Sequence, residues 1–220
     1  ITPLQRDGHP LDKIAVKNLS FKYTNSDKGI YDINLEIRKG TLNVITGRMG
    51  SGKTTLLQSM LGLLPKQKGS IYWNGNLIED EREFLVPPRV AYTSQVPNLF
   101  SDTIKENLLL GLPEDSVNIA QALTLCDLET DVRRFENGLS TIVGPKGVKL
   151  SGGQRQRVAA ARSIVRNTDL LVFDDLSSSL DVETEEKLWN ELFNKTAKTF
   201  IVVSHRPRVL RMADNIIVLK

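Results

Sequence analysis

The chain has 220 residues, the length of one large domain or two small ones, with 40% apolar and 25% charged residues. These fractions are typical of globular proteins and exclude a disordered or collagen-like chain. The net charge of only +3, from 29 basic and 26 acidic residues, argues against a dedicated nucleic-acid-binding surface, so we expect no nucleic-acid partner. The one cysteine, Cys126, is expected to be a small buried side chain.

Residues 1–13 are mostly polar and carry two prolines, and we predict that they form a linker before a domain over residues 14–220. Alternating apolar and polar side chains at the start of this domain indicate half-buried antiparallel strands. A Gly-rich turn and a helix closed by Pro65 follow. The elements predicted in this half are strands at Ile14–Tyr23, Ile30–Ile37, Leu42–Thr46, Gly69–Asn74 and Arg89–Ser94, and a helix at Thr54–Leu64.

The second half begins with a mostly helical insertion, predicted over about residues 97–166. It ends in a long helix from Ser151 to about Arg166, with Val158, Ala161 and Val165 on the apolar face and arginines elsewhere. The elements predicted after it are strands at Leu170–Phe173, Phe200–Val203 and Ile216–Leu219, and a helix at Val182–Phe193. Continuous apolar strands alternating with helices favour an α/β fold, with a mostly parallel sheet covered on both faces and an antiparallel addition.

A phosphate loop with the pattern G-x-x-x-x-G-K-[ST] is present in the segment Gly47-Arg48-Met49-Gly50-Ser51-Gly52-Lys53-Thr54-Thr55. Glycines let backbone N–H groups approach phosphate oxygens, and the N-terminal end of the following helix favours negative charge. In such a loop Lys53 reaches the terminal phosphates and the Thr54 hydroxyl can bind Mg²⁺. A chance glycine-rich turn is the alternative, but a strand before the loop and a helix after it favour a phosphate site.

Two further apolar strands end in polar side chains. Leu170–Phe173 is followed by Asp174 and Asp175, which suit one carboxylate beside Mg²⁺ and one facing an attacking water. Phe200–Val203 is followed by a serine and then His205. Taken alone, the acids would be assigned to a solvated turn and the histidine to a structural role. Because carboxyl ends of parallel strands share one edge of a sheet, their convergence with the phosphate loop predicts a ligand crevice.

The segment Leu150-Ser151-Gly152-Gly153-Gln154 opens the long helix. Ser151 is a suitable N-cap, and the two glycines allow an anion to approach the helix N-terminus. The segment is therefore either a second phosphate-binding helix terminus or an ordinary helix start after a loop.

LSGGQ followed by RQRVAAARS resembles the signature of ATP-binding cassette (ABC) proteins, and the phosphate loop, LLVFDD and Ser204-His205 stand in the order found in that family. The resemblance covers nearly the whole chain, from about Ile14 to Leu219. It implies a RecA-like P-loop NTPase core, an antiparallel β subdomain and a helical subdomain that carries the signature. It also implies ATP and Mg²⁺ as cofactors, and ATP hydrolysis as the reaction.

The same resemblance assigns roles to individual residues. Tyr23 would stack on adenine, and Thr54, Gln95 and Asp174 would hold Mg²⁺. The implied catalytic residues are Lys53, Gln95, Asp175 and His205, of which Gln95 contacts the attacking water and His205 senses the γ-phosphate. The implied ATP contacts are Tyr23, Gly47, Arg48, Met49, Gly50, Ser51, Gly52, Lys53, Thr54, Thr55 and Gln95 in one chain, and Ser151, Gly152, Gly153 and Gln154 from the opposite chain.

Two cassettes of this family bind head to tail, so that each ATP lies between the phosphate loop of one chain and the LSGGQ segment of the other. Ser179-Leu180-Asp181 resembles the loop that crosses to the partner. The segments NLFSDTIKENLLLG and GLSTIVGPKGVKLSGGQRQRVAAARSIVRN are similar to those of exporters. The implied partners are a second cassette, in a homodimer or a heterodimer, and the transmembrane domain of a transporter. The domain itself would then be soluble and lie at the cytoplasmic face of a membrane.

One position departs from the family pattern, which has a glutamate as general base where this chain has Asp175. Aspartate is one methylene shorter, which is about 1.5 Å of bond length. A misplacement of about 1 Å at a reacting group can lower the rate roughly 100-fold, so slow hydrolysis or movement of Asp175 by the partner is expected. Ordinary turnover, through a bridging water or a small backbone shift, is the alternative.

Two other classes of protein share the phosphate loop. A soluble cassette of the DNA repair, chromosome or translation type is the main alternative. Its repair and chromosome members carry long coiled-coil insertions before the signature, and its translation members carry two cassettes per chain; neither feature is present in this sequence. A phosphate-loop kinase or GTPase is disfavoured by LSGGQ.

Overall fold

The computed structural model describes residues 10–220 and contains two β-sheets and eight α-helices within that range. The strands are β1 (Lys13–Lys22), β2 (Gly29–Arg38), β3 (Leu42–Gly47), β4 (Lys68–Trp73), β5 (Asn76–Leu77), β6 (Val90–Thr93), β7 (Leu170–Asp174), β8 (Thr199–Val203) and β9 (Asn215–Leu219). The helices are α1 (Lys53–Met60), α2 (Glu81–Phe84), α3 (Ile104–Leu109), α4 (Ile119–Leu125), α5 (Glu129–Arg134), α6 (Gly152–Val165), α7 (Val182–Lys195) and α8 (Pro207–Met212).

The central sheet is parallel throughout, with the strand order β6-β7-β8-β3-β9. Every residue of β7 and β8 is buried, and successive side chains of β7 enter different cores. Leu171 and Phe173 belong to the core that contains α6 and α7, whereas Leu170 and Val172 belong to the core that contains α1. The predicted parallel sheet, covered on both faces, is confirmed.

The second sheet is antiparallel and has the strand order β2-β1-β4-β5. Two shifts of register interrupt the pairing of β1 with β2 between Val16 and Phe21, and Asn18 has a left-handed backbone with φ of 51°. These irregularities explain why the apolar pattern of this strand is broken. Ile14 and Ile71 of this sheet share a core with Leu56 of α1, so the antiparallel sheet covers one face of the parallel sheet.

Helices α3, α4 and α5 lie between β6 and β7 in the chain and pack beside α6. Ile104, Leu108 and Ala122 are fully buried there, and so is Cys126, in agreement with its predicted role as a small apolar side chain. Within residues 10–220 the longest helices have only 14 residues, and none is both long and apolar enough to cross a bilayer.

The first helix ends earlier than predicted. Helix α1 stops at Met60 rather than Leu64, and the chain turns at Leu61 and Gly62. Gly62 has φ of +68°, and a Cβ at this position would lie 2.6 Å from the backbone nitrogen of Arg82. A left-handed residue in such close contact cannot continue a right-handed helix.

Arg157 in α6 is also placed differently from the prediction, which put the arginines away from the buried face. Its side chain is buried and pairs with the Asp131 carboxylate of α5 at 2.8 Å. It also donates to the carbonyl oxygen of Asp127. A long guanidinium that is paired through Nη1 can therefore occupy the interface between α5 and α6 that the sequence pattern assigned to apolar residues, although its Nε stays buried without a partner.

The ordered domain begins before Ile14. Leu11 is buried, its N–H donates to Asp169 Oδ2 at 3.3 Å, and β1 starts at Lys13. The other part of the predicted linker, residues 1–9, lies outside the described residues.

Candidate nucleotide-binding site

Three neighbouring strands of the parallel sheet end at the same edge. They are β7, β8 and β3, and their last residues are Asp174, Val203 and Gly47. The N–H of Asp175 donates to the Val203 carbonyl at 3.1 Å, and the N–H of Ser204 donates to the Ile45 carbonyl at 3.1 Å. These bonds fix the loops that follow the strands, so the polar residues at this edge have defined positions.

A cleft of about 370 Å³ opens at this edge of the sheet. The predicted site residues that line it are Tyr23, Met49, Gly50, Gly52, Lys53, Thr54, Thr55, Gln95, Asp174, Asp175 and His205. Gly47, Arg48 and Ser51 belong to the same loop but do not line the cleft. Lys28, Gly29 and Val203 also line it and were not predicted from the sequence.

The phosphate loop is shaped by two glycines with different constraints. A Cβ at Gly47 would lie 2.1 Å from the carbonyl oxygen of Leu219 in β9, so no larger residue fits between the strands. Gly52 precedes α1 with a left-handed φ of 91°, a conformation that favours glycine. Lys53 Nζ donates to the carbonyl oxygens of Gly47 and Arg48, at 3.0 and 2.8 Å. The loop therefore wraps around an ammonium group at the start of a helix, where unpaired N–H groups also attract anions.

Asp174 is a buried carboxylate, with 1% of its surface exposed. Burial raises the pKa of this group above its ordinary value, and hydrogen bonds with Thr54 and Tyr92 partly oppose that change. The Tyr92 hydroxyl donates to Asp174 Oδ2 at 3.3 Å; burial, with Asp174 nearby, raises the pKa of Tyr92 to about 12. Sequence reasoning missed this tyrosine, although its position next to the last residue of a mostly buried strand that leads to Gln95 was a usable signal.

The donor set around Asp174 fits Mg²⁺. A carboxylate and the Thr54 hydroxyl lie within hydrogen-bonding reach of each other, and hard oxygen donors are the ligands that Mg²⁺ prefers. A cation here would offset the cost of burying the charge of Asp174. No group of three or more His, Cys, Asp or Glu side chains in residues 10–220 is arranged to hold a metal. Mg²⁺ commonly binds one or two carboxylates together with waters and phosphate oxygens, and the donors at Asp174 fit that kind of site.

Asp175 and Gln95 both line the cleft and are in direct contact. Gln95 Nε2 donates to Asp175 Oδ2 at 3.2 Å, although the two residues come from different loops. Asp175 has a left-handed backbone with φ of 53°, which is unusual for a residue other than glycine. Such strained residues often mark functional sites, because the surrounding structure must hold them in place.

His205 and Tyr23 lie at other parts of the cleft wall. His205 is exposed, and its Nδ1 lies 3.4 Å from the Thr46 hydroxyl at the end of β3. The Tyr23 ring is 39% exposed and packs edge-on against Phe21, with ring centroids 4.8 Å apart. Its hydroxyl is 3.1 Å from Thr55 Oγ1, which ties the ring to the first turn of α1.

The LSGGQ segment lies apart from the cleft, since none of residues 151–154 lines it. Ser151 Oγ accepts the N–H of Gln154 at 3.1 Å, and the N–H of Ser151 donates to Gln154 Oε1 at 3.0 Å, which makes a complete capping box. A Cβ at Gly153 would lie 2.9 Å from Leu180 Cδ2 and 3.1 Å from the Ser179 carbonyl. The signature therefore packs directly against the Ser179-Leu180-Asp181 segment of its own chain.

The sequence of this chain is similar to those of known transporters. The family model described as "ABC transporter" matches residues 30–178. The chain is 38% identical to the ABC transporter BEA3 of Gibberella fujikuroi, over 94% of this chain and 16% of that protein. It is 36% identical to YheI of Bacillus subtilis, a probable multidrug resistance ABC transporter ATP-binding/permease protein, over 94% of this chain and 36% of that protein. It is 32% identical to the ATP-dependent lipid A-core flippase of Yersinia pestis, over 94% of this chain and 36% of that protein.

The fold is also similar to a solved structure. A bacterial Atm1-family ABC exporter with ATP bound superposes with a TM-score of 0.85 and 27% sequence identity, over 96% of this chain and 37% of that one. The chain thus spans about a third or less of the length of each of these transporters. The phosphate loop, the paired acids and the separate LSGGQ helix are all present in this chain. Its sequence matches the family model over more than half of the chain, and its fold matches that of an ABC exporter. The chain belongs to the ABC transporter family.

Proposed function

We propose that this chain is the ATP-binding and ATP-hydrolysing domain of an ABC exporter, and that it works as a head-to-tail dimer to drive transport across a membrane. The observation that carries the proposal is the edge of the parallel sheet, where the phosphate loop, Asp174, Asp175 and His205 come from three adjacent strands. With a net charge of only +3, phosphate binding relies on Lys53, backbone N–H groups and the start of α1 more than on a field of basic side chains.

Hydrolysis is the attack of a water oxygen on the γ-phosphorus, with cleavage of the bond to the β–γ bridging oxygen. Asp175 accepts the proton that the water loses, and Gln95, which already bonds Asp175, orients that water. Lys53 places its charge beside the phosphate oxygens, and His205 contacts the γ-phosphate from the end of β8. Thr54, Asp174 and Gln95 would hold Mg²⁺, which when bound neutralises phosphate charge. ADP and phosphate then leave as the products.

The signature supports the head-to-tail arrangement. Its capped helix start offers N–H donors and two glycines, yet it does not line the cleft of its own chain. A second cassette turned end to end would bring this helix start to the opposite nucleotide, so Ser151, Gly152, Gly153 and Gln154 would complete the site of the partner. ATP contacts on both sides of the interface would favour the closed dimer, and hydrolysis would remove them.

The direction of transport is inferred from the relatives. Those described above are a multidrug resistance transporter, a lipid A-core flippase and an exporter, and they support an exporter more than a soluble repair, chromosome or translation cassette. In an exporter the cassette would attach to a transmembrane domain and lie at the cytoplasmic face of the membrane. The dimer is either a homodimer or a heterodimer, and Asp175 favours a heterodimer in which one site turns over slowly.

The proposal is tested by ATP hydrolysis and by the size of the protein in solution. We expect Mg²⁺-dependent release of phosphate that Lys53→Ala lowers at least 100-fold, because the lysine contributes charge to the transition state. Gel filtration of His205→Ala should show dimers with ATP and monomers without nucleotide. Hydrolysis unaffected by Lys53→Ala, or a preference for GTP with a phosphate acceptor, would contradict the proposal.

A further inference from the structure

Gln156, in the second turn of α6, lies buried where two loops meet, with 4% of its surface exposed. Its Nε2 donates to Ser178 Oγ at 2.9 Å and lies 3.3 Å from the carbonyl oxygen of Gln95 and 3.5 Å from that of Asp175. Its Oε1 accepts the N–H of Ser179 at 3.2 Å. One amide side chain thus contacts the loop after β6 and, at three positions, the loop that joins β7 to α7.

These contacts matter most for Asp175, because its left-handed backbone is unfavourable in a residue other than glycine and must be held in place. Three other bonds restrain it: its N–H donates to the Val203 carbonyl at 3.1 Å, its carbonyl accepts the N–H of Ser178 at 3.3 Å, and its side chain accepts from Gln95. All three partners are in loops or at a strand end. Gln156 is the contact that joins this group of loops to a 14-residue helix.

We infer that Gln156 is a positioning residue for ATP hydrolysis, which holds Asp175 and Gln95 at the separation needed to place the attacking water. The inference rests on the proposed roles of Asp175 and Gln95. Gln156 itself does not line the cleft, so it acts only through the backbone and loops that it bonds.

The same amide links the two ends of the proposed dimeric mechanism. Helix α6 begins at the signature, and Gly153 packs closely on Ser179 and Leu180, where a Cβ would lie 2.9 Å from Leu180 Cδ2 and 3.1 Å from the Ser179 carbonyl. Gln156 bonds the N–H of Ser179 from the next turn of the helix. A displacement of the signature by a nucleotide bound to the partner is therefore transmitted through Gln156 to the base of its own chain.

The test compares Gln156→Leu and Gln156→Glu with the control Thr168→Val, in the intact protein. Leucine keeps the size of the side chain but makes no hydrogen bonds, and an ionised glutamate can still accept from Ser179 but cannot donate. Thr168 is equally buried and bonds the Leu170 carbonyl at 3.1 Å, at the end of β7 farther from the cleft. The control therefore also loses a buried hydrogen bond, but one that touches neither of the two loops that Gln156 contacts.

Hydrolysis is measured against ATP concentration, together with the affinity for a non-hydrolysed ATP analogue and the rate of backbone hydrogen exchange. We expect both Gln156 variants to lower kcat about 10- to 100-fold, the cost of misplacing a reacting group by up to 1 Å, with KM and analogue affinity within two-fold of the original values. Backbone hydrogen exchange over residues 175–179 should become faster in Gln156→Leu and should not change in Gln156→Glu or Thr168→Val. Thr168→Val should keep kcat within two-fold.

A kcat within two-fold of the original in Gln156→Leu would overturn the inference. An equal loss of kcat and of analogue affinity, shared by Thr168→Val, would also overturn it, because that pattern reports general destabilisation. If the unsubstituted protein hydrolyses no ATP, the proposed function itself fails. The rates of backbone hydrogen exchange then test separately whether Gln156 positions the loop around Asp175. Unchanged exchange over residues 175–179 then refutes a positioning role, and faster exchange supports it.

Discussion

Replacing Asp175 by glutamate should accelerate ATP hydrolysis. The Asp175 carboxylate is held by Gln95 Nε2 at 3.2 Å, on a backbone whose left-handed conformation is fixed by the bond from its N–H to Val203. The backbone therefore cannot easily advance toward the γ-phosphate, and the length of the side chain sets how far the base reaches. Asp175→Glu adds one methylene and extends the carboxylate by about 1.5 Å.

The size of the effect follows from the sensitivity of reacting groups to position. A misplacement of about 1 Å can cost roughly 100-fold in rate, so we expect kcat to rise about 10- to 100-fold, or by 1.4 to 2.7 kcal/mol in activation free energy. KM for ATP should stay within two-fold, because residue 175 is not proposed to bind the nucleotide in the ground state. Aspartate tolerates the left-handed region better than glutamate, so the gain should come with a small loss of stability, less than about 1 kcal/mol.

The assay is steady-state phosphate release by the dimer, with Asp175→Gln as the matched control. Glutamine has the length of glutamate but cannot accept the proton, so this variant should be nearly inactive. The reasoning is refuted if Asp175→Glu leaves turnover unchanged or lowers it while Asp175→Gln is inactive, because the shorter side chain would then be fully competent as a base.

Three further outcomes are expected. Asp174→Asn should abolish hydrolysis and raise the melting temperature of the nucleotide-free protein. Burial raises the pKa of Asp174, so the stability that the protein has below pH 3.8 is lost as this carboxyl ionises, and the uncharged amide avoids that loss. An unchanged or lower melting temperature would contradict this. Cys126 is buried, so Ellman's reagent should modify its thiol only after unfolding, and rapid labelling of the folded protein would disprove the burial. Burial also raises the pKa of this thiol, so the unfolded chain loses the thiol proton first as pH rises. The free energy of unfolding should therefore fall above about pH 8.5. Ser151→Ala removes the capping box and should lower the free energy of unfolding by about 1 kcal/mol and the melting temperature by roughly 2–4 °C. Calorimetry that shows no change would exclude the cap as a stabilising feature.

Much of the sheet edge could be predicted because the signals are local. The phosphate loop is a contiguous pattern, and the apolar strands before Asp174 and His205 are short runs that only a doubly covered sheet explains. The strand order places these ends side by side, so residues far apart in the chain meet where the pattern indicated.

Residues that act from behind the site were missed because their signals are tertiary. Tyr92 bonds Asp174, and Gln156 bonds the loops around Asp175, but the sequence assigned a role to neither, although Gln156 lies in the RQRVAAARS segment that follows LSGGQ. Gln156 does share a buried helical face with Ala159, Ala160 and Ser163, so a glutamine in that spacing was a sign of a buried hydrogen-bonding partner. Its partners could not be named without knowing how the loops fold over α6.

The early end of α1 was missed for a similar reason. The segment from Leu61 to Leu64 has an apolar composition compatible with a helix, with Gly62 as a local stop signal. The close approach of Gly62 to the backbone of Arg82 adds a tertiary reason for the turn. A contact with a residue 20 positions later has no signature in the local pattern.

The position of β3 in the central sheet determines when the nucleotide site can be assembled during synthesis. This strand carries the phosphate loop, yet its two neighbours are β8 and β9; Asn43 bonds Phe200, which lies 157 positions later, and Asn215, which lies 172 positions later. A ribosome adding about 5–20 residues per second needs roughly 10–30 seconds to make the intervening chain. Until then the strand before the phosphate loop has open edges on both sides, so the site for ATP is among the last parts of the domain to fold, and partial chains should bind chaperones rather than nucleotide.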